Sequence, residues 1–204
     1  MQPVKADNTC EGHLGIMQEL LKYIFVEDEL TIALIVVKAK TNFLVYASLG
    51  PHKQALLDIA HKDFAKLSRK TKIQYSLRFG NSTKDHILGE IQQKFSAMLE
   101  GRYQVGLTYE YLFGTTFEHK VWDELVKVQS GRMITYGAIA KNIGSPKAYR
   151  AVGSAIGKNK LAIIIPCHRC RPSSGSIGNF KWGPELKRKL SARETLSQRS
   201  IYFT

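Results

Sequence analysis

The chain has 204 residues, 44% hydrophobic and 23% charged, which is enough to bury one sizeable core or two small ones and excludes wholesale disorder. No run of about eighteen apolar residues exists, which excludes a membrane-spanning helix, and the opening Met1-Gln-Pro-Val-Lys-Ala-Asp-Asn lacks a secretory apolar core. Three cysteines do not make a disulfide framework, so the expectation is a soluble protein of a reducing compartment. The net charge of +13 is unevenly placed: residues 1–110 hold 14 basic and 12 acidic side chains, residues 111–204 hold 16 and 5. That asymmetry points to a polyanion partner for the second half. An anionic membrane fits less well, because no basic helix with a bulky apolar face is present.

In chain order, residues 31–37 and 42–49 are strand-like runs, and the polar stretch 38–41 joins them as a hairpin. Helical patterns follow over 53–67 and 84–99. This half, residues 1–110, reads as a small α/β supporting domain with an antiparallel sheet and no concentrated chemistry. Cys10, His13, His52, His61 and His86 are scattered, without the Cys-x₂₋₄-Cys or His-x₃₋₅-His spacing of a zinc site, so no metal is assigned.

A boundary near residues 107–114 opens a mainly helical second domain, 111–204. Thr115-x-x-Glu118 is a capping box for a helix with Phe117, Val121, Leu125 and Val128 on one stripe, closed by Gly131. Thr135 caps a second helix carrying Tyr136, Ile139, Ala140 and Ile143, with Gly144 past its end. Ser145-Pro146 is expected to cap and open a third, with Ala148, Ala151, Val152, Ala155 and Ile156 on its buried face. The pair forms a helix-turn-helix, winged-helix-like in character. Opposite the buried face lie Arg150, Gly153, Ser154 and Gly157. Two glycines on a helix cost about 1 kcal/mol each relative to alanine, so something must approach the backbone closely there. Either another helix packs on it or a nucleic-acid backbone does. The charge asymmetry favours nucleic acid. The tail after Glu194 is polar and expected to fray.

The most informative stretch is Ile165-Pro166-Cys167-His168-Arg169, which ends the apolar run 161–165. A rigidly held thiol with an imidazole beside it reads as a nucleophile that its neighbour makes anionic. Cys167 and Cys170 also have the spacing of a dithiol. However, the motif precedes the turn Pro172-Ser-Ser-Gly175 rather than opening a helix, so Cys170 reads as a small buried hydrophobe. From the residues alone, Glu194 pairs with Arg193 or Lys189 at the surface, Tyr136 is a core aromatic or a functional hydroxyl, and Lys187-Arg188-Lys189 is a solvated helix face.

Cys167-His168-Arg169, then Ser174-Gly-Ser-Ile-Gly-Asn-Phe180-Lys-Trp-Gly183 and Glu194, resemble the O6-alkylguanine-DNA alkyltransferases, also called methylated-DNA–protein-cysteine methyltransferases, with a fungal character. Gly114-Thr-x-Phe117-x-x-x-Val121-Trp122, Thr135-Tyr136-Gly137-x-Ile139-Ala140, Arg150-Ala-Val-Gly153 and Asn159 extend the resemblance, which is strong from about residue 112 to 194. It implies direct-reversal repair of duplex DNA without a cofactor. The alkyl group of O6-alkylguanine, and less readily of O4-alkylthymine, passes irreversibly to Cys167, once per molecule. His168 takes the thiol proton through a bridging water, Glu194 supports His168, Asn159 holds the network, and Tyr136 assists the departing guanine. Arg150 fills the space of the flipped nucleotide. Thr135, Ala148, Ala151, Gly153, Ser154, Gly157 and Ser173 join Tyr136 on the DNA face, and Phe180, Ala162 and Ser174 line the pocket. Phe180 stands where the family usually has tyrosine, and Cys170 where it has a β-branched apolar residue. The resemblance further implies a monomer acting in the nucleus. Two other readings of the residues are a helix-turn-helix regulator without transfer and a Cys167/Cys170 redox protein.

Overall fold

A computed structural model describes residues 17–102 and 106–201, with side chains described as far as residue 197. Cys10 and His13 lie outside the described residues.

A four-stranded sheet organises the first half, in the order β3-β2-β1-β4, with β1 Met17–Glu27, β2 Ile32–Lys38, β3 Leu44–Gly50 and β4 Ile73–Phe79. The expected hairpin is β2–β3, antiparallel, as is the β1–β2 pair. Strand β4 then adds alongside β1 in parallel, so the sheet is mixed rather than wholly antiparallel. The reason is the crossover: helix α1, Lys53–Thr71, carries the chain back across one face before β4 begins. Strand β2 is buried on both faces. Ala33, Ile35 and Val37 join one hydrophobic cluster and Leu34 and Val36 the other, which is why it reads as a continuous apolar run. The second cluster packs Leu56, Ala60, Phe64 and Leu67 of α1 under the sheet. On the opposite face lies α2, His86–Leu99, whose N-cap Asp85 accepts from the Leu88 N–H.

The first cluster runs on into the second half through Val121, Trp122, Leu125, Ile139, Val152 and Ile165. Helix α3, Thr116–Val126, opens on the expected capping box: Glu118 N–H donates to Thr115 Oγ1 and Thr115 N–H to Glu118 Oε2. Helix α4, Tyr136–Asn142, is capped by Thr135, and α5 spans Tyr149–Gly157. Trp122 of α3 donates its indole N–H to the Ala155 carbonyl at 2.9 Å, fixing α5 against α3. Four expectations need correction here. Helix α3 ends at Val126 with Lys127 as its C-cap, so Val128 and Gly131 lie beyond it. Ser145 and Pro146 do not cap α5. They form a turn closed by Ala148 N–H on Ser145 O, with proline at the position that suits its fixed φ. Ala151 is exposed, not on the buried stripe, which consists of Val152, Ala155 and Ile156. The polar residues after Glu194 continue helix α6, Pro184–Ile201.

The outer edge of β3 positions the chemistry. Ala47 N–H donates to Lys160 O at 2.7 Å and Ala162 N–H returns to Ala47 O at 3.1 Å, so the chain leaving α5 is pinned to the sheet. Ile163 then takes a φ of 72°, an expensive conformation for a β-branched side chain, held by burial on all sides. That turn brings Ile165 and Pro166 to a 3-10 turn, Cys167–Arg169, followed by the short strand β6, Cys170–Arg171, parallel to β5, Ile134–Thr135.

Candidate active site and nucleic-acid face

Cys167 sits at the start of the 3-10 turn and is 4% exposed. Asn159, just beyond α5, serves as its brace. Its Oδ1 accepts from Leu161 N–H at 2.7 Å, and its Nδ2 donates to Ile165 O at 3.1 Å and to Cys167 Sγ at 3.3 Å. An amide N–H aimed at sulfur favours the thiolate. Burial opposes it more strongly and holds the thiol above its ordinary value, despite help from Asn159 and from the charges of Lys181 and Lys187. The sulfur therefore rests as a thiol, and the anionic form expected from the sequence requires that a base remove its proton.

His168 is fully buried and its Nε2 meets Glu194 Oε1. A carboxylate only accepts, so Nε2 carries the hydrogen and Nδ1 is the basic nitrogen. Burial holds His168 below its usual range against the pull of Glu194, so the ring is neutral near neutral pH and able to take a proton. Glu194 is itself 2% exposed, not a surface partner of Arg193 or Lys189. Arg169 donates to both its oxygens, and Gly131 N–H donates to Oε2 at 2.9 Å. Burial alone would raise this carboxyl, but the bonds from His168, Arg169 and Gly131 outweigh it and hold it down to about 2.

Tyr136 opens α4 half-buried. Burial first, then the nearness of Cys170 and Cys167, push its hydroxyl up, so it stays protonated as a donor. Phe180 presents its ring to His168 in a T-shaped contact at 6.4 Å and to Trp182 at 5.2 Å, and Trp182 donates to Ser48 Oγ of β3 at 3.1 Å. Both rings pack against the hydrophobic cluster that contains Cys167. The loop at Gly178 closes near Tyr136: a Cβ there would lie 2.6 Å from Pro172 and 3.4 Å from the Tyr136 hydroxyl.

A sequence profile described as 6-O-methylguanine DNA methyltransferase, DNA binding domain, matches residues 116–196. The chain is 43% identical over 182 residues to a methylated-DNA–protein-cysteine methyltransferase of Candida glabrata, covering 87% of each. It belongs to the methylated-DNA–protein-cysteine methyltransferase family. The relative of that name from Saccharomyces cerevisiae is 38% identical over 188 residues, covering 91% of this chain and 98% of its own. The fold is shared with the crystal structure of the Mycobacterium tuberculosis O6-methylguanine methyltransferase, at a TM-score of 0.64 and 23% identity over 86% of this chain and 93% of the other.

For this methyltransferase, the structure brings together Cys167, His168, Glu194, Asn159, Tyr136 and Phe180. Ala162 is fully buried in the backbone pairing with Ala47. Ser174 is exposed on its loop, where its hydroxyl meets Ser176 Oγ at 3.2 Å, and Ser173 is exposed beside it. On the helix-turn-helix, Arg150, Ala151, Ser154 and Gly157 are exposed. Thr135, Ala148 and Gly153 are half-buried, and a Cβ on Gly153 would lie 4.0 Å from the Tyr136 ring.

Sequence reasoning missed three cations. Arg169 follows His168 directly, and only the fold reveals that both residues reach one carboxylate of α6. Lys187 was read as part of a solvated face but is fully buried, its Nζ donating to Cys170 O. Its spacing from Leu190 and Glu194, three and seven residues on, was the available signal, since all three share the inner face of α6. Lys181 turns inward beside Asn159. Cys167 and Cys170 are both free and buried, and burial raises the Cys170 thiol to about 12, which fits an inert packing residue. Among the described residues no group of three or more His, Cys, Asp or Glu side chains could hold a metal, and no helix is long and apolar enough to cross a membrane.

Proposed function

We propose that the protein repairs DNA by accepting the alkyl group of O6-alkylguanine, and less readily O4-alkylthymine, on Cys167. The observation that carries this reading is the Asn159 bond to Cys167 Sγ beside the buried His168–Glu194–Arg169 cluster, in a chain of this family. Sulfur attacks the alkyl carbon, an S–C bond forms, and the electron pair of the C–O6 bond leaves with the base. The thiol proton passes through a bridging water to the basic nitrogen of His168, whose imidazolium Glu194 stabilises as such a carboxylate does elsewhere. Tyr136 donates toward the departing guanine, which ends with the one proton that sulfur gave up, so charge balances. The thioether is not reversed, so each molecule acts once.

A sulfur this deeply buried cannot meet a base inside an intact helix. The reading therefore includes extrusion of the damaged nucleotide, at a cost of a few kcal/mol that is least at a damaged pair. Exposed Arg150 at the start of α5 is suited to enter the vacated stack, while the smooth Gly153–Gly157 face lies on the DNA backbone. The protein acts as a monomer, in the nucleus where its substrate resides. The test is intact mass spectrometry under reducing conditions after mixing with an O6-methylguanine duplex. One methyl group per chain, located on Cys167 and absent from Cys167→Ala, is the expected result. Tight binding of undamaged consensus DNA without added mass would instead establish a regulator.

A further inference from the structure

Lys181 follows the pocket aromatic Phe180, and its ammonium bears on the residue that braces the sulfur. Although the residue as a whole is exposed, its head points inward: Nζ donates to the Asn159 carbonyl at 3.0 Å and lies 4.9 Å from the Trp182 ring centroid. The side chain of the same Asn159 donates to Cys167 Sγ. A single residue therefore stands between a cation and the acceptor sulfur. The arrangement is tied to the first half of the chain. Lys160, next to Asn159, pairs with Asp63 of α1 at 2.5 Å, and Asp63 also accepts from Tyr46 of β3 at 3.0 Å.

We propose that Lys181 is a positioning residue for alkyl transfer, holding the Asn159 backbone and stabilising negative charge on Cys167 as the sulfur attacks. The proposal rests on the transfer reading above and adds a residue to it. The need for such a group follows from the burial of Cys167. His168 and Arg169 face Glu194, which leaves Lys181 and Lys187 as the cations that ease ionisation of this thiol, with Lys181 the stronger influence. The other groups around the sulfur, Tyr136 and Cys170, are protonated and bring no positive charge. Lys181 faces Lys160, Asp63 and Cys167. Burial of its head and repulsion from Lys160, only partly offset by Asp63 and Cys167, bring it down to about 8. Its charge is therefore present at neutral pH and is lost as pH rises through that value, so its support for the sulfur fades on the alkaline side.

The test uses the full chain as wild type, Lys181→Met, Lys181→Arg and Lys160→Met. Two rates are followed against pH: methyl transfer from a saturating O6-methylguanine duplex, and haloacetamide labelling of Cys167 read by peptide mass. Lys181→Met should slow both near neutral pH by about three- to tenfold, since one pKa unit is a tenfold change in thiolate, with the two labelling profiles converging above about pH 8 where wild-type Lys181 has lost its charge. Lys181→Arg keeps the charge and should retain most of the rate. Lys160→Met removes the repelling neighbour, so Lys181 stays charged to higher pH and labelling on the alkaline side should rise, an effect of opposite sign that a merely structural lysine would not produce. Superimposable labelling profiles for Lys181→Met and wild type overturn the proposal. If thermal melts show that Lys181→Met does not fold, an unchanged Lys160→Met profile overturns it instead. Failure of the wild type to gain a methyl group would count against the transfer reading, while the labelling profiles would still decide the role of Lys181.

Discussion

Arg169 closes on Glu194 from the same 3-10 turn that carries the acceptor cysteine, its Nε 3.2 and 3.1 Å from the two carboxylate oxygens and its Nη2 3.2 Å from Oε1. The carboxylate behind His168 is thus gripped on both oxygens by one planar guanidinium. Arg169→Met leaves that charge buried without the guanidinium that grips both its oxygens. The expected loss is about 3–5 kcal/mol of folding stability, the usual consequence of breaking a buried pair from one side, measured by denaturant unfolding. Arg169→Lys should recover only part of it, because a single ammonium cannot reach both oxygens.

The same clamp sets an acid limit. Glu194 has a folded-state value of about 2 against an ordinary 4.5. A carboxyl lowered on folding contributes stability that is fully present above the ordinary value and disappears as pH falls through the folded one. Wild-type stability should therefore decline between about pH 4.5 and about 2 more steeply than that of Glu194→Gln, and the two curves should converge at the acid end. Parallel curves would show that the carboxyl is not charged in the folded protein.

Much of this architecture is written in local signals. The Thr115–Glu118 box, the Thr135 cap and the strand expected over 31–37, found as β2, Ile32–Lys38, each appear close to where short-range chemistry places them. Strands β1 and β4 were not legible because their partners are distant. β1 is broken by Lys22 and by exposed residues at its start, and β4 alternates loosely along an open edge. Helix α5 starts later than expected because a proline that suits a helix's first turn suits a β-turn equally well. At the site, Cys167 and His168 could be read from the motif. Glu194 gained its role only through resemblance, since a glutamate beside an arginine in a polar helix is ordinarily a surface residue. The burial of Lys187 depends on packing across the whole fold. The same holds for the resting thiol of Cys167, which burial raises above its ordinary value.

Cys170 offers a separation between packing and chemistry. It is fully buried in β6, paired with Ile134, and its thiol is raised to about 12 by burial. Cys170→Val substitutes a similar apolar volume, so folding should change by less than about 1.5 kcal/mol and methyl gain at Cys167 should persist within a few-fold. Abolition of transfer by this substitution, with the fold intact, would move the chemistry to the dithiol.

Arg150 projects from the exposed face of α5, its guanidinium 5.9 Å from the Tyr149 ring centroid. If it replaces a flipped nucleotide, Arg150→Ala should slow repair of duplex DNA far more than reaction with free O6-alkylguanine, which requires no extrusion. Equal slowing of both substrates would assign Arg150 to the pocket or to folding instead.

Gly157 separates folding from binding most cleanly. It ends α5 exposed, and a Cβ placed on it meets nothing within 4 Å, so the free protein gives no packing reason for glycine there. Helix propensity alone predicts that Gly157→Ala stabilises the fold, by about 0.5–1 kcal/mol at most given its place in the last turn. If the bare face of α5 lies on a nucleic-acid backbone, the added methyl group holds the two surfaces apart, and duplex affinity should fall several-fold while the melting temperature rises. Bulkier Gly157→Val should deepen the binding loss without a matching loss of transfer to free alkylguanine. Titration of duplex binding at several salt concentrations adds a second check. The phosphate contacts made by the basic second half should give a steep salt slope, and Gly157→Ala should lower affinity at every salt with little change in that slope, because it removes fit rather than charge. A variant that is more stable and binds DNA as well as wild type would mean that the face of α5 is not the contact surface.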